Sequence, residues 1–197
     1  MSVSPPDFKV VLLGNSFGGK TCLIERYTNG RFLEGGACIA TVGAAYHAKK
    51  LQACGRKLIM GIWDTAGNER YTALSRLYYR GAQAAVLCYD LTNPTSFDRV
   101  KFWLEEVKKS EEFCKIYLCG TKFDLVEENR KARRVDSDIV ADYAKEFRAQ
   151  VFETSSKTGY HVKELFLKVA KDYVDDTAAE HLEITFNEHV FHGCCPC

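Results

Sequence analysis

The sequence predicts an α/β protein, a three-layer sandwich in which helices cover a mostly parallel β-sheet. Continuous apolar runs at 8–14, 84–91 and 115–121 are typical of buried strands. Stretches with helical spacing separate them, and strands that alternate with helices of this length indicate βαβ units. Ligands of such sheets bind outside the carboxyl ends of the strands, so we expect the functional residues to follow the strands directly.

The apolar patterns place each element in chain order. Residues 8–14 form a strand that ends at a glycine, and residues 20–30 carry apolar positions at helical spacing and predict a helix. The strand-like runs on either side of Cys54-Gly55 predict an antiparallel hairpin at one edge of the sheet. Further strands are expected at 84–91, 115–121 and 151–155, and further helices at 96–110, 136–149 and 162–176.

The composition indicates one globular domain with short extensions. The 197 residues are 46% hydrophobic and 27% charged, and the formal net charge of +1 gives no global field that would attract nucleic acid. No leader pattern opens the chain, and no apolar run approaches the ~18 residues of a membrane-spanning helix, so we expect neither. We expect an N-terminal extension at 1–7, the domain at 8–176 and a flexible tail at 177–197.

A phosphate-binding loop is predicted by GNSFGGKT at 14–21, which matches G-x-x-x-x-G-K-[ST] between a strand and a helix. The glycines let backbone N–H groups curve around a phosphate, and the helix start adds a favourable dipole. Lys20 is expected to reach the β- and γ-phosphates, and the Thr21 hydroxyl is expected to ligate Mg²⁺. The nucleotide-binding residues predicted in this stretch are Ser16, Phe17, Gly18, Gly19, Lys20, Thr21 and Cys22.

Two residues at and just beyond the end of the hairpin extend this predicted site. Asp64 ends an apolar strand where a P-loop protein places the acid on the metal side of its nucleotide. Gly67 has no side chain, so a backbone N–H can approach a terminal phosphate there. We therefore expect Asp64 beside Mg²⁺ and Gly67 beside the γ-phosphate.

The stretches GTKFDL and ETSSKTG follow the last two strand-like runs and predict selection of guanine. The Asp124 carboxylate suits the N1–H and 2-amino donors of guanine, whereas adenine offers no such donor pair. Lys122 can pack its aliphatic stem over the base. Ser156 and Lys157 can offer backbone N–H groups to the carbonyl oxygen of the base. Either stretch alone is weak evidence, but both in order after a phosphate loop indicate a guanine nucleotide.

The order GxxxxGKT, Thr41, WDTAG, TKxD and SSK resembles that of the Ras-superfamily small GTPases over residues 8–175. Within that superfamily, GIWDTAGNERY, YYRGA, CYDLT and the cysteine tail resemble the Rab branch. TVGAAY, YLCGTKFDL and FETSSKTG look most like the atypical Rab-twenty-four subfamily, which is associated with autophagy. The resemblance implies a P-loop G domain with a six-stranded, mostly parallel sheet and five helices, which binds GTP or GDP with Mg²⁺.

The resemblance also assigns residues to the site. Phe32 matches the aromatic residue that stacks on guanine, and Thr41 matches the switch threonine that ligates Mg²⁺ when the γ-phosphate is present. Ser155 belongs to the SSK motif, and Thr121 stands where the family usually has Asn, so an amide contact worth about 1 kcal/mol is reduced. Core packing is the alternative explanation for three residues that match the effector-binding aromatic triad, Tyr46, Trp63 and Tyr78.

Two departures concern the switch segments. From Phe32 to Thr41 the first switch is longer than in Ras and contains Gly35-Gly36, so its closure should cost more ordering entropy. Asn68 replaces the usual Gln, which orients the attacking water. Its stem is one methylene shorter, which sets the amide back by roughly 1.5 Å, and misplacement by about 1 Å can cost on the order of a hundredfold in rate.

The predicted catalytic residues are therefore Asn68, Gly67 and Lys20, with slow intrinsic GTP hydrolysis and a bias toward the GTP state. Rab-type activating proteins can supply both an Arg and a Gln in trans, and Asn68 would then matter little in the stimulated reaction.

The chain closes with HVFHGCCPC. The Rab resemblance implies geranylgeranylation of two of the three cysteines Cys194, Cys195 and Cys197, although the end is not a standard C-a-a-X box. Two lipids give stable anchoring where one does not. The alternatives are an unmodified tail and a soft-metal cluster that includes His189 and His192.

The leading hypothesis is a Rab-type switch in vesicle traffic, cytoplasmic and peripheral on late-endosomal or autophagosome-related membranes through a lipid anchor. Its expected partners are effector proteins, an exchange factor, a GTPase-activating protein and escort or GDI-type chaperones. We expect a monomeric G domain that does not bind nucleic acid. A GTP-loaded binding module with negligible turnover and a P-loop small-molecule kinase are the alternatives.

Overall fold

A computed structural model describes residues 5–32, 41–67 and 77–191 of the chain, with side chains up to residue 179. Its centre is a six-stranded sheet with the spatial order β2-β3-β1-β4-β5-β6. The strands are β1 (Phe8–Gly14), β2 (Ala44–Ala53), β3 (Arg56–Thr65), β4 (Ala84–Asp90), β5 (Lys115–Thr121) and β6 (Gln150–Glu153). Only the pairing of β2 with β3 is antiparallel among these described strands. The predicted α/β fold with a six-stranded, mostly parallel sheet is confirmed.

The helices fill the crossovers between the parallel strands. They are α1 (Lys20–Asn29), α2 (Pro94–Ser110), α3 (Phe123–Glu128), α4 (Ser137–Glu146) and α5 (Val162–Phe191), with a 3-10 turn at Arg130–Ala132 and further helical residues at 77–79. The short helix α3 was not predicted, because its six residues are too few to show a period. No described helix is long and apolar enough to cross a bilayer.

The last helix is longer than its amphipathic pattern. Periodicity predicts its end near residue 176, but the helix continues to Phe191. Residues 177–191 include two alanines, three glutamates and one leucine, which favour helix. Helical structure therefore enters the segment that the sequence predicts to be a flexible tail.

Two apolar clusters fill the layers on either side of the sheet. Successive residues of β1 alternate between them, as the period of a strand requires: Val10 and Leu12 belong to the cluster under α1 and α5, and Val11 and Leu13 to the cluster under α2 and α4. All four side chains are fully buried. Helices pack on both faces of the sheet. The loops that follow β1, β3, β4, β5 and β6 therefore lie side by side along the carboxyl-terminal edge of the sheet, where these strands end.

Candidate nucleotide and metal site

The phosphate loop joins β1 to α1 at this edge. Its residues line a cavity of about 200 Å³ together with residues of the switch and base regions: Ser16, Phe17, Gly18, Gly19, Lys20, Thr21, Cys22, Thr41, Thr65, Gly67 and Lys122. Gly19 caps α1 in the left-handed region at φ 85°. A Cβ there would lie 3.0 Å from the Thr121 side chain, so the glycine permits both the turn and its close packing.

Lys20 is the first residue of α1, and its side chain folds back onto the phosphate loop. Its Nζ donates to the Gly14 carbonyl at 3.0 Å and to the Asn15 carbonyl at 2.8 Å. The side chain is buried, and burial lowers the pKa of the amine. An anion in the cavity would offset that desolvation, so the position suits a phosphate.

Three oxygen-bearing side chains meet beside Lys20. The Thr21 hydroxyl donates to Asp64 Oδ2 at 2.7 Å and lies 3.1 Å from the Thr41 hydroxyl. Thr41 Oγ1 is 3.5 Å from the same carboxylate oxygen. The predicted metal ligands from α1, β3 and the segment before β2 thus lie together.

Asp64 carries the observation that tests whether a metal fits. Its Oδ1 atom is buried and has no hydrogen-bond partner among the residues that the structure describes. Burial raises the pKa of this carboxyl, while the bond from Thr21 acts in the opposite direction. A cation would satisfy the orphaned oxygen, and hydroxyl and carboxylate oxygens are the ligands that Mg²⁺ prefers. The residues fit the ion.

Gly67 packs directly on the phosphate loop. Its carbonyl accepts a hydrogen bond from the Ser16 N–H at 3.1 Å. A Cβ on Gly67 would lie 2.2 Å from Ser16 N and 2.4 Å from the Asn15 carbonyl carbon, so no other residue fits without backbone movement. The predicted catalytic residue Asn68 follows immediately but lies outside the described residues.

The base-selecting stretches follow β5 and β6. Asp124 is buried, and its Oδ1 accepts a 2.6 Å hydrogen bond from the Ser155 hydroxyl. Lys122 adopts φ 61°, and its Nζ lies 2.7 Å from Asp90 Oδ2. Burial acts to raise the pKa of Asp90, but the bonds from Lys122 and Thr92 outweigh it and lower that pKa. The aliphatic stem of Lys122 is thereby anchored at its charged end.

Thr121 has a role that the motif alone does not predict. Its hydroxyl lies 3.0 Å from the Gly18 carbonyl and 3.0 Å from the Tyr89 carbonyl. Thr121 is fully buried at the end of β5. It therefore ties the phosphate loop to the strand from which the base-selecting loop begins.

Two of the three predicted effector residues, Tyr46 and Trp63, pack against each other, and Tyr78 borders the same apolar cluster as Trp63. Tyr46 on β2 is directly opposite Trp63 on β3, with ring centroids 4.7 Å apart. The Lys9 ammonium lies 4.7 Å from the Trp63 ring. Tyr46 is 47% exposed, and Trp63 and Tyr78 are half-buried, so the first ring offers a partner contact area that a core residue would not.

For the other predicted site residues, the structure gives a position or a degree of exposure, or does not describe them. Phe32, two residues beyond the αL cap of α1 at Gly30, is half-buried. Phe17 is 73% exposed and, unusually for an aromatic residue, has a positive φ of 60°. The lipidation candidates Cys194, Cys195 and Cys197 lie outside the described residues, as do His192 and the side chain of His189.

Sequence reasoning did not find two polar residues of this region. Asp90 holds Lys122, and Arg26 reaches from α1 to the loop after β6. Arg26 belongs to no recognised motif, and Asp90 lies in CYDLT, a motif with no predicted role at the site. Each contact joins positions that are far apart in the chain. A charged residue at the very end of an apolar strand was the available signal for Asp90.

The comparisons with known proteins agree with this geometry. A sequence model of the Ras family matches residues 9–175. The chain is 43% identical over 177 residues to Ras-related protein Rab-24 of Dictyostelium discoideum, a match that covers 90% of this chain and 86% of that protein. It is 38% identical to GTP-binding protein yptV2 of Volvox carteri, over 89% of this chain and 81% of that protein. It is 39% identical to Ras-related protein Rab-26 of Mus musculus, over 92% of this chain and 68% of that protein.

Proposed function

The chain belongs to the Ras family and, within it, to the Rab small GTPases, which are switches of membrane trafficking. From this premise we propose that it hydrolyses bound GTP slowly without an activating protein. Thr21 and Thr41 meet at one oxygen of Asp64, and the other carboxylate oxygen has no hydrogen-bond partner among the described residues, which supports binding of a Mg²⁺–nucleotide complex. In the reaction a water attacks the γ-phosphorus, the bond to the β–γ bridging oxygen breaks, and GDP and phosphate are released.

The residues of the site would have different roles in this reaction. Lys20 would neutralise charge on the β- and γ-phosphates, from a position already fixed by two carbonyls. Mg²⁺, when bound to Thr21, Thr41 and Asp64, would neutralise further charge on the phosphates. Gly67, which packs on the phosphate loop without a side chain, would approach the γ-phosphate with its backbone N–H. Asn68 would orient the water from a stem that is one methylene short.

The rate test compares the wild type with Asn68→Gln in single-turnover hydrolysis of GTP. We expect the longer amide to raise the rate, by up to on the order of a hundredfold, because it would place the water in line. Asn68→Ala serves as the control that removes the amide. Equal rates in the wild type and Asn68→Gln would show that amide reach does not limit the reaction.

A second candidate is a GTP-loaded binding module with negligible turnover, which the short amide of Asn68 favours. Multiple-turnover assays with and without a Rab-type activating protein separate it from the slow switch, since only a switch would be stimulated. The small-molecule kinase is tested by analysis of the nucleotide in the purified protein. Adenine nucleotide there would contradict guanine selection.

We further propose recruitment to endomembranes through two prenylated cysteines among Cys194, Cys195 and Cys197, with a role in autophagy. The identity of 43% to a relative named Rab-24 supports the subfamily assignment. Effectors would contact Tyr46, Trp63 and Tyr78. Mass spectrometry of protein from native membranes tests the anchor, and unmodified thiols throughout would contradict it.

A further inference from the structure

Arg26 on α1 extends its side chain to the loop that follows β6. We propose that Arg26 is a positioning residue for guanine selection, which acts through the peptide groups that follow Ser156 and Lys157. This inference rests on the guanine-nucleotide binding proposed above and adds to it a residue outside the recognised motifs.

The guanidinium binds three backbone carbonyls at once. Nε donates to the Ser156 carbonyl at 2.5 Å, Nη2 donates to the Lys157 carbonyl, and Nη1 donates to the Gly30 carbonyl at 3.1 Å. A planar fork with fixed donors suits two successive carbonyls, whereas an ammonium group has no such fixed geometry. Bonds from a charged donor are also stronger than neutral ones.

The first of these bonds orients the N–H of Lys157. In a trans peptide the carbonyl of one residue and the N–H of the next point in opposite directions, and no peptide among the described residues is cis. With the Ser156 carbonyl held by Arg26, the Lys157 N–H points away from α1. This N–H is one of the two predicted to meet the carbonyl oxygen of guanine, and the charge on its carbonyl partner polarises the peptide and strengthens the donor.

The second bond connects Arg26 to the carboxylate that selects the other edge of the base. With the Lys157 carbonyl held, the N–H of Thr158 points away from Arg26 and donates to the Ser155 hydroxyl at 3.1 Å. That hydroxyl donates in turn to Asp124 Oδ1 at 2.6 Å. A chain of hydrogen bonds therefore runs from the guanidinium to Asp124.

The third bond joins Arg26 to the turn that ends α1. Gly30 ends α1 in the left-handed region at φ 68°, and Phe32, the predicted stacking residue, follows two positions later. One guanidinium thus fixes the loop with the edge-recognising groups and the turn that leads to the stacking ring. Both lie at the same end of α1, whose start is the phosphate loop.

The test measures the affinity of the full-length protein for three diphosphates by competition with fluorescent GDP. The diphosphate of 2-aminopurine riboside lacks both the carbonyl oxygen and the N1–H of guanine, whereas IDP lacks only the 2-amino group. In Arg26→Lys we expect the preference for GDP over the 2-aminopurine compound to fall about tenfold, the value of one good hydrogen bond. The preference for GDP over IDP should fall less, because Ser155 still contacts Asp124 directly.

Each preference is a ratio within one variant, so a general loss of stability cancels. Arg26→Gln, which removes the charge but keeps an amide donor, should show the same selective fall. Arg31→Lys, a neighbouring exposed arginine, is the matched control and should keep both ratios.

If the affinities for all three nucleotides fall equally, or do not fall at all, both ratios stay unchanged. That result would overturn the role of Arg26. A wild-type protein with no preference for GDP over either compound would instead overturn guanine selection itself. The two failures are therefore distinguishable in one set of measurements.

Discussion

At the scale of single residues, Thr121 shows how a departure from a family motif acquires a structural role. A threonine hydroxyl is too short to act as the usual amide, but at this position it lies 3.0 Å from the carbonyls of Gly18 and Tyr89. The contact spans 103 positions in the chain. It joins the phosphate loop to β5, the strand that leads to the predicted base-selecting loop.

We expect Thr121→Val, which keeps the shape but removes the hydroxyl, to lower the free energy of unfolding by about 1–3 kcal/mol, because a buried carbonyl loses its partner. GDP should also dissociate faster, since the phosphate loop is less constrained. Stopped-flow release of fluorescent GDP and denaturant unfolding measure the two effects.

Thr28→Val is the matched control for Thr121→Val, because the Thr28 hydroxyl also donates to a carbonyl, that of Ile24 within α1, at 2.8 Å. Unchanged GDP release in this control, against faster release in Thr121→Val, assigns the effect to the phosphate loop. Equal release rates in the two variants would rule out the connection.

At the scale of elements, α5 is attached to the sheet by a buried carboxylate. Asp172 accepts hydrogen bonds from Tyr117 on β5 at 2.7 Å and from Gln150 on β6 at 2.8 Å, and it pairs with Lys168 at 2.5 Å. Burial acts to raise the pKa of Asp172, but the bonds from Lys168 and Tyr117 outweigh it and lower that pKa. The ionised carboxylate therefore stabilises the docked helix.

We expect Asp172→Asn to lower the free energy of unfolding by about 1–3 kcal/mol at neutral pH. A lowered pKa in the folded protein contributes stability above the ordinary value of 3.8 and loses it as the pH falls below that value. The difference between the wild type and the variant should thus be constant from pH 5 to 8, a range roughly clear of that titration, and shrink in stronger acid.

Urea unfolding at several pH values measures this difference. The control is Asp176→Asn, since that more exposed carboxylate pairs with Lys115 at the surface and should contribute about 0–1 kcal/mol. A wild-type advantage that grows in acid would contradict the assignment.

The elements also show what the sequence can and cannot predict. The phosphate loop, Asp64 and the strand ends were predictable because each depends on a local pattern next to a strand. Arg26 and Asp172 were not, because their partners lie 130 and 55 positions away and only the assembled sheet brings them together. The extra length of α5 was not predicted because the amphipathic pattern of the sequence fades near residue 176, whereas the helix continues to Phe191.

At the scale of the whole molecule, the buried Lys20 and Asp64 are groups of opposite charge that are both partly desolvated. Burial lowers the pKa of Lys20 and raises that of Asp64, so each group is stabilised by a ligand of opposite charge. The phosphates of a nucleotide and Mg²⁺, if bound at this site, would supply those charges only in the folded state. Nucleotide binding and folding should therefore be coupled thermodynamically.

We expect Mg²⁺–GDP to raise the free energy of unfolding by about 2.7 kcal/mol when free nucleotide is at 100 times its dissociation constant. For a domain of this size the melting temperature then rises by roughly 5–10 °C. Removal of Mg²⁺ with EDTA should reverse part of that rise. Scanning calorimetry makes the measurement, and an equal rise with Mg²⁺–ADP would contradict guanine selection.

The position of Trp63 next to Asp64 has a mechanical consequence. Consecutive residues of a strand face opposite sides, so β3 presents the predicted metal ligand Asp64 on one side and the ring of Trp63, a predicted effector contact, on the other. Tyr46, opposite Trp63 in register, moves with it. If binding of a metal by Asp64 displaced β3, the rings of Trp63 and Tyr46 would therefore be displaced directly. No other side chain would have to transmit the motion.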